Sequence, residues 1–413
     1  MKLFWNLCKY LQAMRVAIIH SCFGGFFPRF YDNLCAAIKN HGGSYKLFLP
    51  NTKTNRLAKT QGKQIFGTRL NVPLHRLWYK ITGLQDIFSF FDTLILILKL
   101  KKYKPDVVHL HIINDFYINT PLFFRFCNKN HIPIIWTMHD CRAFTGRCAY
   151  FDEIGCDKWR YGCGKCPQKT LYLPTRIDNS KLQWNIRKQI YQKVNNLTIV
   201  TPSYWLADTI AKSSLKHIPC YVVHNGIAIE EFGTTQPSFL PITERIISSG
   251  KHIVLGIASA WEERKGLNTF LKLANDLPDD YQVVLVGKMP IEETKIITIS
   301  PTQSLSTLVG IYQSADVFVN PTLADNFPTT NIESLAAGTP VVTYQTGGSA
   351  EAIDETCGIA VTKNDYLALR EAIIQVVKNR AYYSKEACQN RTKEFSLKQY
   401  DEYVKLYLLN NLP

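Results

Sequence analysis

The sequence predicts an α/β protein of two parallel-sheet domains that face each other across a cleft. Three observations lead there. Short apolar runs read as strands buried on both faces: RVAIIH at 15–20, PDVVHLH at 105–111, PIIWTMHD at 133–140, IVLGI at 253–257, VVLVG at 283–287, VFV at 317–319 and VVTY at 341–344. Helical periodicity rather than hairpin turns separates them, and parallel strands need such crossovers. A chain of 413 residues, 46% hydrophobic and 20% charged, is long enough to bury a core in each domain.

Taken in order, residues 1–14 (MKLFWNLCKYLQAM) have the pattern of a short basic amphipathic helix and lack the long apolar stretch of a signal peptide. They read either as a membrane-surface helix or as residues ahead of a true start at Met14. SCFGG at 21–25 sets a glycine pair between strand and helix, so Gly24 and Gly25 are candidates for close backbone approach to a phosphate. Residues 46–80 interleave Lys46, Lys53, Arg56, Lys59, Lys63, Arg69, Arg76 and Lys80 with Phe66, Leu70, Leu74, Leu77, Trp78 and Tyr79, which suits a membrane interface or a polyanion. The apolar run 87–100 contains Asp92 and leads into Lys101 and Lys102, so it suits a peripheral or buried helix better than a membrane span. Charge follows the same division: residues 1–230 carry a balance of +20 and residues 231–413 one of −5. The first half is therefore expected to meet something anionic.

The strands at 105–111 and 133–140 both end in histidine, His111 and His139, with His109 alongside. Repetition of that ending points to a site wall more than an isolated histidine would. Next comes a cysteine-rich insert at 141–168, in which Cys148, Cys156, Cys163 and Cys166 are spaced C-x7-C-x6-C-x2-C. They could hold a structural zinc that orders a loop with few apolar residues; free thiols and a disulfide are the other readings, the last disfavoured in a cytoplasmic protein. Residues 229–250 look like an irregular linker, which divides the chain into domains 1–228 and 229–396, with a last helix at 397–413 crossing back to the first.

Within the second domain Lys265 precedes a glycine at a helix start, a good place for a point charge on phosphate. The stretch 319–348, VNPTLADNFPTTNIESLAAGTPVVTYQTGG, places Asp325, Asn326 and Phe327 on a loop after a strand. Thr329 and Thr330 are candidate caps for a helix that carries Glu333. Two carboxylates framing exposed helix amides suit a ligand with both hydroxyls and phosphates.

The run PTLADNFPTTNIESLAAGTPVV at 321–342 resembles the nucleotide-sugar signature of family 4 retaining glycosyltransferases of the GT-B fold, with Asp325 in place of the usual first glutamate and Pro328 in place of a small flexible residue. The segment HDCRAFTGRCAYF, followed by GCDKW and CGKCPQ, resembles an insert in bacterial members related to colanic acid and capsule assembly. The resemblance implies a sugar transfer from a nucleoside diphosphate sugar to a lipid-linked or cell-surface glycan, with retention and without a catalytic metal. It implies Glu333 on the ribose hydroxyls, Asp325 on the donor sugar, His139 on the sugar from the other domain, and Lys265 on the diphosphate. Gly24, Gly25, Asn326, Phe327 and Thr329 join them as donor-binding candidates. The arginine expected six residues before Lys265 falls on Ser259, so its role is either lost or passed to Arg264. The enzyme is expected in the cytoplasm at the inner membrane face, without nucleic acid. A nucleotide-sugar epimerase of the same fold and a zinc-bearing nucleic-acid binder are the competing readings.

Overall fold

Each half of the chain folds around its own all-parallel sheet. The computed structural model describes residues 14–25, 27–171, 173–290, 293–302 and 304–410. The segment 1–13, read above as a membrane-surface helix or a dispensable start, lies outside them.

The first sheet contains β1 (Arg15–Ile19), β2 (Ser44–Pro50), β3 (Lys63–Phe66), β4 (Val107–Leu110), β5 (Ile134–Thr137), β6 (Leu197–Thr201) and β7 (Cys220–Val222), in the order β3-β2-β1-β4-β5-β6-β7. The second contains β8 (His252–Ala260), β9 (Tyr281–Lys288), β10 (Ile296–Ile299), β11 (Val317–Asn320), β12 (Val341–Tyr344) and β13 (Gly358–Val361), in the order β10-β9-β8-β11-β12-β13. Strand order reverses between β1 and β4 and again between β8 and β11. Loops leaving the carboxyl ends of those strands diverge, and the crevice between them is where open α/β sheets bind ligands.

Alternation along each strand builds a core on both faces. In the first sheet Ile19, Leu110 and Trp136 belong to the core that includes Leu96, Leu100 and Phe124, while Val16, Ile18 and Ile135 belong to the one that includes Phe30, Leu34 and Tyr407. In the second, Leu255, Val284 and Phe318 pack with Ile332 and Leu335, and Val254, Leu285 and Val319 with Phe270 and Ile373.

The chain separates into two compact units, one reaching to Phe151 and adding Gly155–Val223 and the segment from Lys398, the other comprising Asp152–Ile154 and His224–Leu397. By this division the HNGI turn packs with the second unit, which begins at His224. His224 stacks on Phe327 with ring centroids 4.8 Å apart, and the Ile227 amide donates to the Phe395 carbonyl at 2.9 Å. Nor is 229–250 irregular: it forms helices Ile229–Thr234 and Pro241–Ser248, the first burying Phe232. No helix among the described residues is long and apolar enough to cross a membrane.

The cysteine-rich insert departs most from expectation. It is not poor in core residues, since Cys141, Ala143, Phe144, Cys148, Phe151 and Trp159 all join the first unit's core. Phe151 meets Trp159 at 4.8 Å and Phe144 meets Trp159 at 5.3 Å. Aromatics spaced irregularly along a loop show no period in sequence, which hides their convergence.

Candidate active site

At the switch point of the second sheet, the loop after β8 and the loop after β11 are locked together. Gly266 closes the turn Glu263–Lys265 with φ +83°, and a Cβ there would lie 2.5 Å from the Pro321 carbonyl oxygen. On the opposite side Gly347, at φ +56°, abuts the Asp325 carbonyl so closely that a Cβ would overlap it. Only glycine permits both the left-handed backbone and the approach. The result is that Lys265 Nζ sits 2.6 Å from Asp325 Oδ2, with both side chains partly exposed.

Arg264 has a different task. Its Nη1 donates to the Ala324 carbonyl at 3.1 Å, its Nη2 meets Glu262 Oε1 at 2.6 Å, and its own carbonyl accepts the Leu323 amide at 2.8 Å. It fastens the Asp325 loop.

Helix Thr329–Ala337 begins with Pro328 at the N-cap, and no side chain caps it. Thr329 and Thr330 therefore are not the caps expected from sequence, and Asp325 spends its carboxylate on Lys265 instead. A proline N-cap fixes φ without offering a side-chain capping oxygen; the Asn331 amide turns back to the Pro328 carbonyl at 3.3 Å, which leaves the amides of Thr329 and Thr330 as the donors at the helix start. Glu333, in the second turn, accepts from Tyr312 Oη at 3.1 Å. Tyr312 is a site neighbour that sequence reasoning missed, because it reaches Glu333 from a separate helix, Leu305–Gln313. Asn326 and Phe327 are buried; the Phe327 ring stacks on His224 and meets Phe395 at a tilt of 58°, and its carbonyl accepts from Asn225 Nδ2 at 3.3 Å.

In the first unit the histidines form a stack at the ends of β4 and β5. His111 Nδ1 lies 2.9 Å from His139 Nε2 with the rings nearly parallel at 13°. His109 is held between Thr137 Oγ1 at 2.7 Å and Tyr407 Oη at 2.6 Å. His20 follows β1, accepts the Cys22 amide at 3.0 Å and stacks on Phe27 at 3.7 Å. Burial holds these rings neutral: it drives His139 down to about 4, with Asp140 opposing, and His109 to about 3, with repulsion from His139 adding to it. A neutral imidazole both donates and accepts, as a sugar hydroxyl requires. Gly24 and Gly25 follow His20; Gly25 takes φ +62° with open space where a Cβ would be.

Cys148, Cys156, Cys163 and Cys166 have free thiols, and burial raises Cys148 to about 12 and Cys163 to about 11, neighbouring thiols adding to both. Cys163 Sγ accepts the Gly146 amide at 3.1 Å. Among the described residues, no group of three or more His, Cys, Asp or Glu is placed to hold a metal ion.

Comparison with known proteins agrees with the geometry. Residues 4–231 match the family model described as Glycosyltransferase Family 4, and residues 243–395 that of Glycosyl transferases group 1. WcaC of Escherichia coli (strain K12), whose name assigns it to colanic acid biosynthesis as a glycosyl transferase, is 27% identical over 310 residues, covering 72% of this chain and 73% of its own. The N,N'-diacetylbacillosaminyl-diphospho-undecaprenol alpha-1,3-N-acetylgalactosaminyltransferase of Campylobacter jejuni is 31% identical over 175 residues, covering 38% of this chain and 44% of its own. Sucrose-phosphate synthase from Thermosynechococcus elongatus superimposes with a TM-score of 0.66 at 15% identity, covering 95% of this chain and 98% of that one. The chain belongs to Glycosyltransferase Family 4, a glycosyltransferase built from two Rossmann-like parallel-sheet units in the GT-B fold.

Proposed function

We propose that the enzyme moves a sugar from a nucleoside diphosphate sugar, with retention at the anomeric carbon, to a lipid-linked glycan acceptor in surface polysaccharide assembly. The observation that carries this is the Lys265–Asp325 pair beside an uncapped helix start at a sheet switch point. As the glycosidic bond to the diphosphate breaks, negative charge grows on the leaving phosphate, and Lys265 with the first amides of helix Thr329–Ala337 stabilises it. Asp325 keeps the ammonium in place and accepts from donor sugar hydroxyls; Glu333, oriented by Tyr312, takes the ribose hydroxyls. His139, neutral at physiological pH, contacts the sugar. No step requires a metal.

The names of WcaC and the Campylobacter jejuni enzyme support the acceptor class. Peripheral attachment to the inner membrane face is supported by the exposed side chains of two helices. Helix Asn71–Thr82 exposes Leu74, Leu77, Trp78 and Ile81, and helix Phe90–Tyr103 exposes Phe91, Leu94 and Leu98, with Lys80, Lys101 and Lys102 on the same two helices. Apolar side chains with basic neighbours are what an anionic bilayer binds.

A thermal-shift panel of uridine, guanosine, adenosine and thymidine diphosphate sugars tests the donor site: one of them should raise Tm, and Lys265→Ala should abolish the rise. The anomeric configuration of the product, read by NMR, tests retention. Turnover of the donor without any acceptor, giving an epimerised nucleotide sugar, would replace transfer by epimerisation.

A further inference from the structure

The proposed reaction uses His139 and leaves the histidines packed beside it without a task. His139 is only partly buried, and it stands on the loop that follows β5. The χ2 torsion of a histidine has two broad wells, so a half-exposed imidazole needs an anchor if it is to present one edge to a ligand. His111 supplies that anchor: its Nδ1 lies 2.9 Å from His139 Nε2, with the ring planes 13° apart.

The anchor is itself immobile. His111 is 1% exposed; its amide donates to the Ile19 carbonyl at 3.1 Å and its carbonyl accepts from Trp136 Nε1 at 2.8 Å. Phe27 and Phe30 enclose its ring, each edge to face at 5.1 Å, and the His109 ring, itself fixed by Thr137 and Tyr407, lies 4.3 Å away. Nε2 of His111 is buried and, among the described residues, has no hydrogen-bond partner. Burying a polar atom unpaired costs stability, and a leucine would fill the same space without that cost. What the polar ring contributes is therefore its other nitrogen, the one that meets His139. Burial keeps both rings neutral, so a single proton lies between Nδ1 of one and Nε2 of the other. Whichever ring supplies it, the tautomer of the first dictates the tautomer of the second.

We infer that His111 is a positioning residue of the transfer: through the proton shared between its Nδ1 and Nε2 of His139, it sets the ring angle and the tautomer with which His139 meets the donor sugar. The inference rests on the sugar contact proposed for His139 above, and it adds a buried partner that touches no substrate. Loss of such a partner misplaces the contact without removing it, which acts on turnover more than on donor affinity.

The test uses the full chain. NMR of nitrogen-labelled histidine rings, without ligand, should show one neutral tautomer for His139 and a mixture of two in His111→Leu; an unchanged single tautomer in that variant overturns the inference. Release of nucleoside diphosphate from the panel sugar that raises Tm, with water as acceptor, gives kcat and KM. His111→Leu should lower kcat roughly tenfold or more and leave KM within about twofold. His111→Asn returns an amide to the place of Nδ1 but leaves a cavity, so it should melt below His111→Leu and yet recover most of kcat. Activity that simply follows Tm across the two variants would make His111 a packing residue and overturn the proposal. In a His139→Ala background His111→Leu should change kcat by no more than about twofold, and a second loss of roughly tenfold there would overturn action through His139. Undiminished kcat in His139→Ala alone would refute the sugar contact itself, and this inference with it, whereas a His111→Leu without effect beside a crippled His139→Ala would refute only the positioning.

Discussion

At the scale of single residues, the ammonium of Lys265 is the charge on which transfer turns. Replacing it with alanine should lower kcat/KM by roughly 10²–10³, because a preorganised charge at the leaving group contributes most in the transition state. Tm should hardly change, since the pair with Asp325 is partly exposed. A large fall in Tm with intact activity in the surviving fraction would mark Lys265 as structural. The histidines give a pH prediction. Burial holds His75 and His139 at about 4 and His109 at about 3, all below the ordinary 6.5. Unfolding lets each take up a proton between those values, so the stability they confer is complete above about pH 6.5 and is lost as pH falls toward 4. Melting curves of the full chain should therefore show Tm declining between pH 6.5 and 4, and a flat profile in that window would contradict neutral buried rings.

Among elements, the helix Ser180–Tyr191 shows how the cysteine-rich insert is held. Arg187 and Asp86, both almost fully buried, pair at 2.6 Å. Arg187 Nη1 donates to the Thr145 carbonyl at 2.9 Å and Nη2 to Gln85 Oε1 at 2.7 Å, while Asn114 Nδ2 donates to Asp86 Oδ1 at 2.9 Å. Removing one partner strands a buried charge, so Arg187→Met should cost about 3–5 kcal/mol in urea unfolding. Because aromatics and this network order the insert, prolonged EDTA treatment should leave Tm where it was. A drop reversed by zinc would instead show that Cys148, Cys156, Cys163 and Cys166 close on a metal. The spacing of those cysteines was legible in sequence, whereas Arg187 was not, its partner lying about 100 positions away.

Over the whole molecule, net charge is +15 and its excess lies in the first half of the chain. Binding to phosphatidylglycerol vesicles should weaken as salt rises, the signature of surface electrostatics. Leu77→Glu with Phe91→Glu should weaken it at every salt concentration while circular dichroism stays unchanged, both side chains being exposed, Phe91 to 77%. Cosedimentation that ignores both salt and these substitutions would remove the membrane from the account.

The sequence by itself determined the two parallel sheets, the strand endings and the loop from Asn320 to Glu333, since apolar runs, turn glycines and a local signature are all short-range features. Tertiary structure alone decided that Pro328 and not Thr329 stands at the N-cap of the site helix, that Arg264 turns inward to hold its neighbour loop, and that Tyr312 orients Glu333. It also decided that Arg56 and Arg76 share a cavity. Each of these depends on which distant segments meet, and neither periodicity nor spacing along the chain encodes that.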